Sequence, residues 1–151
     1  MPTSATRTAP HGKKFVTTEN GDYLAVTEIL TGKITLPNGN AVQVKRAFVN
    51  ATTGTTTELI PAVTDAALRV LTLVMVHGGT GGTVTLKSAS TAISPVFSNA
   101  DNGGAVLPFN QHGWFQTNAV NEALNVTVSS SSDCGVIVQY IEIPDGQYDL
   151  L

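Results

Sequence analysis

From residue 41 onward the chain reads as strand, turn, strand. Residues 83–88 alternate, with Val84 and Leu86 on one face and Thr83, Thr85 and Lys87 on the other. Residues 124–129 repeat the pattern, with Leu124, Val126 and Val128 set against Asn125, Thr127 and Ser129. A period of two is the signature of a half-buried strand. Further strands are predicted over 41–50, 55–60, 67–77, 106–109, 114–117 and 135–143, with a short one at 93–97 interrupted by Pro95. The best helical candidate, 64–68, is too short and reads as a loop entering a strand. Short strands separated by turn signals every ~8–12 residues predict an all-β fold, an antiparallel β-sandwich or jelly roll.

Two of these strands do not alternate. In 70–76, Leu71, Leu73 and Met75 fall on one face and Val70, Val74 and Val76 on the other. In 136–143 only Gln139 and Glu142 are polar. An antiparallel strand with one wet face alternates, so a strand apolar on both faces is buried on both. One face belongs to the sandwich core. The other is covered by the N-terminal segment or by another subunit, and a subunit interface is the expectation.

The first 40 residues are different. Residues 1–14 are polar, with Arg7, Lys13 and Lys14 among Pro and Thr and no periodicity, which predicts an extended arm. Residues 15–40 are transitional and end in the turn sequence Pro37-Asn38-Gly39-Asn40. The expected organisation is an arm over 1–40 and a β-sandwich domain over 41–151.

Composition narrows the function classes. Charged residues are 13% of the 151, Ser and Thr together about a fifth, and the net charge is −3. That balance argues against a nucleic-acid partner held by overall basic charge. The longest apolar run, 70–76, falls well short of the ~20 residues that cross a bilayer, so no membrane partner is expected. The single cysteine, Cys134, permits no intrachain disulfide.

Local motifs carry little chemistry. His77-Gly78-Gly79-Thr80-Gly81-Gly82 opens like an oxyanion-hole loop, but the Gly-x-Ser-x-Gly elbow such a hydrolase needs is missing. A glycine-rich hairpin between 70–76 and 83–88 is the simpler reading. The histidines His11, His77 and His112 have no metal-ligand spacing. Asp101-Asn102-Gly103-Gly104 lacks the further carboxylates of a calcium loop and reads as a tight turn. Cys134 reads as a small buried thiol. No enzyme activity and no cofactor are expected. The aromatics Phe109, Trp114, Phe115 and Tyr140 suit the end of a sandwich core better than a sugar platform.

A wider pattern runs from residue 55 to 143. Thr55-Thr56-Thr57-Glu58-Leu59-Ile60 precedes Leu68-Arg69-Val70-Leu71, and Thr83-Val84-Thr85-Leu86-Lys87-Ser88 precedes Gly104-Ala105-Val106-Leu107-Pro108-Phe109. Gly113-Trp114-Phe115-Gln116-Thr117, Glu122-Ala123-Leu124-Asn125-Val126-Thr127 and Gly135-Val136-Ile137-Val138-Gln139-Tyr140 follow. This order resembles the small jelly-roll virion proteins of tailed bacteriophages, the capsid decoration or cement proteins and related tail modules. The resemblance leaves the first 40 residues uncovered.

The resemblance implies a homotrimer, made in the host cytoplasm, that binds the outer surface of the phage head and stabilises the shell. Its partners are then the major capsid protein and itself. On that reading Arg7, Lys13 and Lys14 of the arm contact the capsid, and Val70, Val74, Val76, Val138 and Tyr140 form the trimer interface. The alternative is a tail or fibre module that binds a host receptor or glycan through loop residues such as Trp114 or Phe115.

Overall fold

The computed structural model describes residues 32–130 and 133–147. Contacts divide the chain into two units, Met1–Ala41 and Val42–Leu151. In the first, the described part is a turn. After β1 (Lys33–Thr35), the Leu36 N–H donates to the Asn40 carbonyl at 2.8 Å and the Gly39 N–H to the Leu36 carbonyl at 2.8 Å. Gly39 sits at φ 86°, a left-handed conformation that glycine adopts without strain. The Pro37–Asn40 turn of the sequence is present. β2 (Ala41–Gln43) follows directly.

The second unit is all β among its described residues. Its principal strands are β3 (Lys45–Ala51), β4 (Thr56–Ile60), β5 (Ala66–His77), β6 (Gly82–Ser88), β8 (Phe97–Asn99), β9 (Gly104–Leu107), β11 (Leu124–Ser130) and β12 (Cys134–Pro144). Two-residue strands β7 (Thr91–Ala92) and β10 (Phe115–Gln116) lie between them. One sheet runs β10-β5-β12-β3, with β9 also on β5, and the other β4-β11-β6-β7, with β8 also on β6. Every pairing within these two sheets is antiparallel. In chain order the principal strands divide as first-eighth-third-sixth and second-seventh-fourth-fifth, which is the jelly-roll arrangement.

The alternating strands behave as their patterns predict. Val84, Leu86, Leu124, Val126 and Val128 are fully buried and belong to one core cluster. The facing sheet adds Leu68, Val70, Leu73, Met75, Val136, Val138 and Tyr140 to that cluster. The two inner faces therefore interdigitate as in any sandwich. At one end, Phe97 on β8 meets Phe115 on β10 edge to face, with centroids 6.2 Å apart. Each ring comes from a different sheet, so the pair ties the two layers together.

Several sequence expectations shift in the structure. The strand over 41–50 is two strands, interrupted at Val44. The strand over 93–97 is absent. Pro95 has no N–H for a ladder, and the pairing falls to Thr91–Ala92 and Phe97–Asn99 on either side. The glycine run 78–82 is not a hairpin. It follows β5 in one sheet and enters β6 in the other, so it is an inter-sheet crossover. The Asp101–Gly104 turn is present: Asn102 has φ 52° and the Gly103 N–H donates to the Ala100 carbonyl at 2.9 Å.

β5 carries a bulge. Gln139 of β12 is opposite Thr72, but the next residue, Tyr140, is opposite Val70. Leu71 is the extra residue. One inserted residue flips the facing of everything beyond it. Before the bulge, Leu68 and Val70 face the core. After it, Leu73 and Met75 do.

Candidate functional site

The first half of β5 and its partner on β12 are buried on both faces, as a two-sided apolar pattern predicts. Residues Ala66 through Leu71 are all buried, as are Ile141 and Ile143. The second half is different. Beyond the bulge the outward positions are Thr72, Val74 and Val76, and they are not fully buried.

Register sets these residues beside others. Phe48 on β3 is directly opposite Ile137 on β12. Ile137 is opposite Val74 on β5. Val74 is opposite Val106 on β9. Cross-strand partners share a face and lie ~5 Å apart, so Phe48, Ile137, Val74 and Val106 form one unbroken row across four strands. Phe48 is 74% exposed, Val106 66%, Val76 52% and Ile137 37%. From side-chain areas of roughly 150–200 Å², the four leave on the order of 400 Å² of apolar surface open, the size of the largest patch on a typical monomer.

The rows on either side define the band. On one side stand Arg46, Gln139 and Thr72, cross-strand partners in turn. The Thr72 hydroxyl donates to Gln139 Oε1 at 3.0 Å, so this margin is polar and internally bonded. On the other side the partners are Asn50, Gly135, Val76 and Gly104. A Cβ built on Gly135 would meet only Asn50 Oδ1, at 3.5 Å, and Val76 O, at 3.9 Å. Val76 thus stands between two positions without side chains, and the face is relieved: a Phe48 ridge beside a Gly135 hollow.

This placement corrects part of the expected trimer-interface set. Val74 and Val76 lie on the open face. Val70, Val138 and Tyr140 do not; they pack into the sandwich core of a single chain. The bulge at Leu71 is the reason for Val70. Val138 follows from its alternation with exposed Ile137 and Gln139. Phe48, Val106 and Ile137 were missed as a group because only strand pairing brings them together. The expected capsid-contact residues Arg7, Lys13 and Lys14 lie outside the described residues.

A second surface feature is the loop between β9 and β10. Its backbone is tied to β5: Asn110 N–H donates to the Leu71 carbonyl at 2.9 Å and Trp114 N–H to the Val70 carbonyl at 2.8 Å. The Trp114 indole Nε1–H donates to the Pro108 carbonyl at 2.7 Å. Gly113, at φ 84°, lets the loop lie against the Arg69 stem; a Cβ there would come within 2.5 Å of Arg69 Cγ. Phe109 and Trp114 remain exposed on this fixed scaffold. Phe115 turns inward to Phe97 instead.

The titratable groups serve the fold. His77 is buried at the end of β5, with no hydrogen-bond partner among the described residues for either ring nitrogen, so it is not presented to solvent as a base. Burial pushes the Cys134 thiol up and the Tyr140 phenol up. Hydrogen bonding to Glu142, 2.6 Å away, raises Lys45. That pair is substantially exposed and adds little. Among the described residues no group of His, Cys, Asp and Glu is disposed to hold a metal ion.

All three shifts have the same sign for stability. A raised folded-state pKa favours the protonated form, so its contribution is complete below the unfolded value and is lost as pH rises beyond it. The first loss is set by the thiol, whose ordinary value is 9.0, and the next by the phenol, at 10.0. The urea midpoint is therefore expected to hold level through the mildly alkaline range and to fall above about pH 9. Cys134→Ala and Tyr140→Phe should each shallow that fall. A flat midpoint through pH 11 contradicts the assignment.

No family model matches the chain, and no curated protein does either. Among solved structures, the cyanophage Pam1 capsid asymmetric unit is similar at 17% identity and a TM-score of 0.44, covering 66% of this chain and 85% of that chain. A likeness at that level assigns neither a family nor a function.

Proposed function

We propose that the chain is a structural virion protein, a capsid decoration protein that binds the outer surface of a phage head as a trimer and stabilises the shell. The observation that carries this reading is the open apolar band on the β3-β12-β5-β9 sheet. A rigid sandwich with a contiguous apolar face is built to be covered by protein. The motif order from residue 55 to 143, which resembles decoration proteins, supplies the partner: the major capsid protein.

The mechanism is linkage. A protein that binds the assembled shell and not its free subunits stabilises the shell by mass action. Many copies on one lattice add their contributions, so each contact is allowed to be weak. The reaction uses no cofactor, and the working location is the virion surface.

Mixing the full chain with purified heads and pelleting them tests the reading. The expected result is saturable co-sedimentation and a higher temperature of DNA release from decorated heads. A chain that stays in the supernatant with expanded and unexpanded heads alike overturns it.

One observation favours a second reading. The β9–β10 loop holds Phe109 and Trp114 exposed on a hydrogen-bonded scaffold, and aromatic faces so held stack on sugars. A tail or fibre module binding glycans is the function that loop suits. Binding on a glycan array that is lost in Trp114→Ala supports it, and an array without a hit removes it.

A further inference from the structure

We infer that the occupant of the open sheet face is a second copy of this chain, with Phe48 of one copy seated in the Gly135 hollow of the next. The inference deepens the decoration reading but requires of it only the number of copies, three. Self-association follows from the face itself.

Three features point to a copy of the same chain. The first is charge. Bringing identical faces together opposes like charges unless the face has almost none. The outward positions of the band are Phe48, Ile137, Val74, Val106 and Val76, and the lone ion among their neighbours, Arg46, stands in the polar margin. A partner recognised by charge would find nothing to read here. The second is relief. Phe48 and the bare Gly135 are diagonal neighbours on adjacent strands, so one face carries both a ridge and a hollow. Repeating the contact around an axis closes a ring in which each copy gives a ridge and receives one. The third is size. The apolar band, on the order of 400 Å², together with its Gln139–Thr72 and Asn50 margins approaches the ~800 Å² per partner of a stable interface.

Gly135 offers a clean test, because a side chain there enters the face and not the core. Its Cβ would have ordinary contacts only, and its backbone is not in the left-handed region. Sedimentation velocity on the full chain should give a species of three times the 15.7 kDa chain mass at about 100 µM. Gly135→Asp and Phe48→Asp should each raise the concentration of half-association by ~30-fold or more, the effect of losing a central interface anchor. Far-UV circular dichroism and the thermal midpoint report that the fold of each variant is intact.

A wild-type chain that is monomeric at that concentration overturns the inference. So does a wild-type mass retained by both variants. The decoration reading fails separately: a chain that self-associates through this face and never binds heads refutes decoration alone. A monomer that binds heads, and ceases to when Phe48 becomes Asp, gives the face to the capsid and refutes self-association alone.

Discussion

Replacing Leu73 by alanine is expected to remove about 3 kcal/mol of folding stability, within the ~2–5 kcal/mol range of buried leucine truncations. Leu73 lies mid-strand on β5, opposite Val138 on one side and Leu107 on the other, and is fully buried. Both neighbours are held in hydrogen-bonded ladders, so the site collapses little around the missing atoms. Val76→Ala, three residues on and facing outward, should cost under ~1 kcal/mol in the isolated chain. The contrast tests the parity set by the bulge at Leu71. Comparable costs at the two positions in urea titrations of the unassociated protein would mean that the strand is turned differently.

Gly81→Val should cost a similar amount by the opposite route. Gly81 lies in the crossover that carries the chain from one sheet to the other. A Cβ there would strike the Asn99 carbonyl oxygen and come within 2.5 Å of Ala100 C and 2.8 Å of Asp101 N. All three are backbone atoms. Asn99 is paired with Gly82, and the turn that follows is closed by the Gly103 to Ala100 hydrogen bond. Neither side yields easily. Separation also weakens the bond from the Gly81 N–H to Asp101 Oδ1, now 2.7 Å. Overpacking of ~1–3 kcal/mol plus about 1 kcal/mol for that bond gives a loss near 3 kcal/mol. Gly79→Ala is the control, because nothing lies within 4 Å of its Cβ, and it should leave the midpoint unmoved. Equal effects at both glycines would show that the crossover does not pack against the β8–β9 turn.

The difference between what was and was not legible in the sequence is one of range. The alternation in β6 and β11 is local, and its inward set of Val84, Leu86, Leu124, Val126 and Val128 is the inward set of the structure. Alternating strands with regular turn signals were enough for an antiparallel sandwich. The facing of Val70 was not legible, because the bulge at Leu71 is defined by the register of β12, nearly seventy residues away. The same distance hides the open face. Phe48, Ile137, Val74 and Val106 come from four strands, and no window of sequence contains more than one of them. The glycine run was recognisable as a turn, but which sheet follows it is a property of the whole topology.

The direct test of the central claim is a cryo-EM map of the particle that carries this protein, with the chain labelled. The account predicts label density on the outer surface of the head, in groups of three, with the β3-β12-β5-β9 sheets turned toward the local axis. Density confined to the tail or its fibres contradicts the decoration function.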